Sequence, residues 1–292
     1  MRSTTTTSRG TSRGRTGLTV RRGGTGEPGG TRVLPALCAL VTTAALALGL
    51  SGCDGYDATS PGAAREELSD SGTAGFAPGP DGPVDCRHVK CVALTFDAGP
   101  SVRTPRILDI LSKYHVHATF FTLGKNHVMK HPEMVREMAA QGHEIETLTW
   151  DHQILTRIGK DQVRKEITEG RDAVEKVTGI RPTLLRPPQG RTNRTVTAIA
   201  RDLGMAEVEW SANGADYKTT DSALIAERIL RQTKPDGIIL LHDLVDPTDR
   251  GYNGTVAAVA PIIATLQARG YTFVTVRQLL APGTPQPGKV YK

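Results

Sequence analysis

Apolar residues fall into seven short runs between residues 89 and 274. The run 89–96 (VKCVALTF) is apolar and rich in β-formers, and so are 118–123 (ATFFTL) and 237–241 (GIILL). Shorter runs at 143–148 (HEIETL), 183–186 (TLLR), 206–210 (AEVEW) and 271–274 (YTFV) also read as strands. Between them the apolar spacing changes to that of a helix, at 106–114, 131–141, 161–178, 192–203, 222–232 and 255–268. In 161–178, Val163, Ile167, Ala173, Val174 and Val177 share one side of an amphipathic helix. Strands separated by helices predict a parallel sheet with helical crossovers. A closed barrel and an open doubly wound sheet share that pattern.

The polar motifs favour the barrel. TFDAGP (95–100), HEIETLTWDH (143–152), RPPQG (186–190), NGADY (213–217) and LLHD (240–243) each lie where a strand should stop. Barrel enzymes assemble their sites from the loops that follow the strands. Five motifs from five strands converge more easily on a ring than along an open edge. The expected fold is α/β, a (β/α) barrel of about seven parallel strands over 86–281.

The flanks differ from this core. Residues 1–32 are rich in Thr, Gly and Arg with little apolar content, and cannot bury a core. Residues 33–50 are largely apolar and lead into Leu-Ser-Gly-Cys at 50–53. A basic region, an apolar stretch and a small-residue site describe an export signal over 1–52. The four-residue ending resembles a bacterial lipobox, which makes Cys53 the lipidation site. The alternative, a transmembrane anchor, is marginal for an 18-residue run containing Pro35 and Gly49. Residues 53–85 read as a disordered tether and 282–292 as a flexible tail. The expected location is therefore outside the cell, on the outer face of the membrane as a lipoprotein, or secreted.

Charge adds one exclusion. The chain carries +6, and the seven Arg and single Glu of residues 1–52 account for all of it. The remainder is balanced, so the basic pI gives no support for nucleic-acid binding. Of four Cys, Cys38 lies in the leader. Cys86 and Cys91 remain, and a disulfide is the plain reading outside the cytoplasm, with a zinc site as the alternative.

The motif order resembles the polysaccharide deacetylases, carbohydrate esterase family 4, over nearly the whole folded part. That family's motifs are Thr-Phe-Asp-Asp-Gly-Pro, Asn-His-Thr-Trp-x-His, Arg-x-Pro-Tyr, Asp-x-x-Asp-Trp and Leu-x-His. The resemblance implies a distorted (β/α) barrel and metal-assisted hydrolysis of an acetyl group on a sugar, with an acetylated polysaccharide as partner and a monomeric enzyme. It assigns Asp97 as the base and Arg186 as its partner. It assigns His242 as the acid and Asp216 as the group that orients it. It places Pro188, Gln189, Leu241, Tyr217 and Trp150 against substrate. The expected cofactor is a divalent metal, zinc foremost.

Gln189, Asn213 and Tyr217 replace the family's Tyr, first Asp and Trp, and two metal-ligand positions also depart. Ala98 stands where the second Asp, a metal ligand, is expected, and Leu148 where the first His is expected. His152 alone of the three ligands is kept; Glu146, two residues before Leu148, could face the same side of the strand and replace another. Catalytic zinc sites use three protein ligands. Losing Lewis-acid help costs several kcal/mol of transition-state stabilisation and several powers of ten in rate. The expected function is a cell-wall glycan deacetylase with a degenerate metal site. The alternative is a glycan-binding pseudoenzyme at the cell surface.

Each motif also has a plainer use. Asp97 and Asp243 could cap the helices after their strands. His152 could be a hydrogen-bonded, partly buried residue.

Overall fold

The longest strand is buried on both faces. In the computed structural model, which describes residues 57–69, 84–243 and 253–292, β2 (Lys90–Gly99) lies in the interior of the sheet with seven consecutive buried residues, 91–97. A continuous apolar run is what a parallel strand covered on both sides requires. It is flanked by β8 (Gly237–His242) on one side and β3 (Thr119–Thr122) on the other. Strands β4 (Glu144–Thr147), β5 (Leu184–Leu185) and β6 (Ala206–Val208) continue beyond β3, and β7 (Ala212–Asn213) pairs with β8. The strand β9 (Tyr271–Val274) pairs with the first half of β2.

All pairings are parallel, so the expected α/β class holds. The strand count needs correction: the described residues hold ten strands rather than seven. The three additions, β1 (Ala58–Thr59), β7 and β10 (Val290–Tyr291), have two residues each, too few to show a period of two. Two of them revise the expected domain limits. Strand β10 inserts between β1 and β6, with Val290 and Tyr291 only 1% and 2% exposed, so 282–292 is no loose tail. Within 53–85, β1 and helix α1 (Pro61–Ser69) are ordered against the domain. Arg65 anchors them by donating to the carbonyl oxygens of Leu279 (2.6 Å) and Cys86 (3.2 Å) and pairing with Asp236 (2.7 Å). The leader, Cys38 and Cys53 lie outside the described residues, and among the described residues no helix is long and apolar enough to cross a membrane.

The helices cover the outer face of the sheet. Val92, Leu94 and Phe96 of β2, Phe120 of β3, Ile145 of β4, and Ile239 and Leu241 of β8 meet them there. Their partners come from α2 (Thr104–Lys113), α3 (Pro132–Ala140), α6 (Ser222–Gln232) and α7 (Asn253–Ala268). Helices α4 (Lys160–Thr178) and α5 (Arg194–Asp202) pack against Leu185. The inner face takes the alternate residues: Cys91 and Ala93 of β2, Phe121, Leu148, Val208 and Ile238. The short α8 (Val276–Leu280) closes this inner space with Val276, Leu279 and Leu280. Cys86 and Cys91 are joined in a disulfide at the start of β2.

One period-two rule therefore decides which side chains reach the interior. Odd-numbered residues of β2 and even-numbered residues of β8 face inward. Asp97 and His242 are inward residues near the ends of these two strands, and they pair directly in register.

Candidate active site

Asp97 is held from behind. Its Oδ1 accepts a 2.7 Å hydrogen bond from Nη1 of Arg186, which is 0% exposed. The same guanidinium donates to Thr95 Oγ1 (2.7 Å), the Val208 carbonyl (3.1 Å) and the Glu209 carbonyl (3.1 Å). Its plane lies over the Phe121 ring, 4.0 Å from the centroid. Burial draws the Arg186 pKa below its usual value, while the charge of Asp97 opposes that. A planar fork with five donors can span three segments in this way; a Lys could not.

His242 is held in parallel fashion. Its Nδ1 lies 2.8 Å from Oδ1 of Asp216, and its backbone N–H donates to Oδ2 at 2.8 Å. Thr255 Oγ1 also donates to Oδ2, and Asp216 is wholly buried. A carboxylate accepts only, so Nδ1 carries a proton and Nε2 is left for chemistry. Burial works against the imidazolium, but the hydrogen bond and charge of Asp216, with help from Asp97, raise the pKa above the usual value. This pair adds stability that is complete below the ordinary histidine pKa and is lost as pH rises through the folded one. Replacing Asp216 by Asn should return the His242 pKa toward or below its ordinary range. An NMR titration of the His242 ring in Asp216→Asn checks this; an unchanged midpoint would show that Asp216 does not set it.

Both groups open onto a cleft of about 690 Å³. Gln189, Asn213 and Tyr217 line it, and the Tyr217 ring meets His242 edge-on at 5.4 Å between centroids. His152 lines it too; burial lowers its pKa, Asp97 opposes the shift and His242 adds to it. Three of the lining residues hold left-handed backbone: Ala98 (φ 66°), His152 (φ 60°) and Gln189 (φ 60°). Such conformations cost about 1–3 kcal/mol each and gather where a site demands a fixed geometry.

Other expected contacts are corrected. Leu241 is 0% exposed and faces the outer helices, whereas Leu240 lines the cleft, because side chains alternate along β8. Trp150 packs against the outer core instead of the cleft. Pro188 is buried in the turn that carries Gln189 and is not in the cleft wall. The tryptophan in the wall is Trp210, at the end of the strand run that follows Met205. Gly190 (φ 64°) makes room for it, since a Cβ there would come within 2.9 Å of the indole. Asp243 accepts from Ser101 Oγ (2.7 Å) and Thr104 Oγ1 (2.6 Å), so it fastens the loop before α2 rather than orienting His242.

Sequence reasoning also missed His127 and Lys218, both in the cleft wall. His127 sits in a π-turn, Gly124–Val128, whose polar sequence carries no strand or helix period. For Leu240 a signal existed: counting back two residues from His242 selects it.

The expected metal does not fit this donor set. The Ala98 methyl cannot coordinate, and Leu148 is 1% exposed within the inner apolar packing. Glu146 faces the same interior but accepts from the Thr183 (3.0 Å) and Leu184 (2.9 Å) N–H groups and from Arg277 (3.2 Å). Burial, then the neighbouring charge of Glu144, raises its pKa well above the carboxylate range. Among the described residues no group of three His, Cys, Asp or Glu side chains is arranged to hold a metal ion. His152, the one family ligand kept, is not a cradle by itself.

Comparison with known proteins agrees with the geometry. Residues 85–208 match the family model for polysaccharide deacetylase. The peptidoglycan-N-acetylglucosamine deacetylase PgdA of Listeria monocytogenes is 34% identical over 69% of this chain and 41% of its own length. The chain thus spans about two-fifths of that curated relative. A solved T48 deacetylase with substrate is 37% identical, with TM-score 0.66, over 72% of this chain and 100% of its own. A mutant of a pseudoenzyme of carbohydrate esterase family 4, with restored enzymatic activity, is 27% identical with TM-score 0.61, over 66% of this chain and 68% of its own. A parallel sheet that brings Asp97–Arg186 and Asp216–His242 to one cleft, together with an identity of 37% along the full length of a solved deacetylase, places this chain in the polysaccharide deacetylase family.

Proposed function

We propose that this protein removes N-acetyl groups from amino sugars of cell-wall glycan, and that it does so without the family's three-ligand metal site. One observation carries the reading: a carboxylate and an imidazole, each fixed by a buried counter-charge, end two adjacent paired strands and face one cleft. Asp97 takes the proton from a water that attacks the acetyl carbon. The Gln189 backbone N–H is the donor proposed for the oxygen that gains charge. His242, whose raised pKa favours the imidazolium, gives its proton to the amine as the C–N bond breaks. Acetate and a free amino sugar result. The names of the relatives support glycan as the substrate, and the Leu-Ser-Gly-Cys sequence supports export with attachment at Cys53.

A second reading, glycan binding without turnover, is favoured by Ala98 and Leu148 alone. Mass-spectrometric assay of acetate release from chitotetraose and from purified peptidoglycan separates the two. Release above the blank is expected, with a loss of about 10²–10⁴ in Asp97→Asn. Bound glycan with no release would select the second reading.

A further inference from the structure

The cleft contains an imidazole that the proposed reaction does not use. His127 lines it, presented by the π-turn Gly124–Val128. That turn is closed by wide hydrogen bonds, from Val128 N–H to the Leu123 carbonyl and from Met129 N–H to the Gly124 carbonyl, both 3.0 Å. Turns of this kind are uncommon, and they occur mostly at functional sites.

The orientation of the ring follows from the one hydrogen bond it makes among the described residues. Nδ1 of His127 lies 3.0 Å from the Pro100 carbonyl oxygen. A carbonyl oxygen only accepts, so Nδ1 must carry the hydrogen. In the neutral ring, Nε2 then holds a lone pair. It has no hydrogen-bond partner among the described residues, whereas the Asp97 carboxylate is already held by Arg186. The neighbouring Ala98 side chain provides no acceptor. Sugar hydroxyls need acceptors, and a buried hydroxyl left without one is costly.

We infer that His127 is a substrate-holding residue whose Nε2 accepts a hydrogen bond from a hydroxyl of the bound sugar. The inference rests on the reading of this cleft as a glycan site, but not on turnover. The Pro100 carbonyl fixes the tautomer and the ring plane, and the π-turn brings the ring to the wall. His127 thereby supplies the cleft wall with an acceptor that the Ala98 methyl does not offer.

Two isosteres separate the ring's two nitrogens. His127→Asn keeps an N–H near Nδ1 and removes the acceptor at Nε2. His127→Gln places a carbonyl oxygen near Nε2 and gives up the bond to Pro100. Titration calorimetry of the full chain with fully acetylated chitotetraose reads the difference. His127→Asn should weaken binding about fivefold, as expected for the loss of one net hydrogen bond, and His127→Gln should stay within about twofold of wild type. Thermal melts of both variants confirm folding. Equal weakening of both would show a structural role through Pro100 and overturn the inference. So would wild-type affinity in His127→Asn, or no binding by wild type. Acetate release is measured on the same samples. If it is absent while the binding pattern holds, the deacetylation reading fails and the assignment of His127 stands.

Discussion

Restoring both missing ligands, as Ala98→Asp with Leu148→His, should convert a chain that holds little zinc into one that holds about one ion per molecule. Acetate release should rise with it by about three powers of ten, since a Lewis acid contributes several kcal/mol to carbonyl chemistry. The backbone favours the first change. Position 98 has φ 66°, a conformation that Asp adopts more readily than Ala. The second change exchanges a buried Leu, packed in the inner cluster with Phe121, for an imidazole, and costs roughly 1–3 kcal/mol of apolar burial. His152 already lines the cleft as the third donor. Elemental analysis of the purified double variant and the acetate assay check the two halves separately. If neither zinc nor turnover rises, Leu148 does not occupy the ligand position and the register of HEIETLTWDH must be shifted.

Arg186→Met should be the most destabilising single change in the site, by about 3–5 kcal/mol. The side chain has similar length but no charge. Its loss would leave Asp97 buried without its counter-ion, and it would strip a donor from Thr95, Val208 and Glu209 at once. For a domain of this size the melting temperature would fall by roughly 10 °C. Chemical denaturation gives the free energy. Asp97→Asn in the same background should recover part of the loss, because the cost comes from the stranded carboxylate. A change below about 1 kcal/mol would mean that water reaches the pair and that Asp97 is not held as described.

Much of this arrangement is legible in the residues. The runs around Leu94, Phe120, Ile145 and Ile239 show the sheet because both faces of a parallel strand are buried. Asp97, Arg186, Asp216 and His242 stand out because each ends such a run. What was hidden has a physical cause in each case. Leu241 was taken for Leu240 because an unbroken apolar run does not show which face is inward, although His242 settles it. The motif points to Trp150 and not to Trp210, because it names a residue without its direction. β10 and α1 escaped notice because Gly- and Pro-rich segments read as unstructured unless a neighbouring edge orders them. His127 could not be found, since a π-turn has no apolar period.

The pairing of β1 with β10 affects where the molecule can be cut. Family matching begins at residue 85, yet the sheet also uses residues before residue 60. A recombinant protein started at 85 would lack the strand that covers β10, along with the Arg65 contacts to Leu279 and Asp236. It would expose a bare edge of N–H and C=O groups, a surface that invites self-association. Sound material for every assay above therefore begins upstream of Asp57.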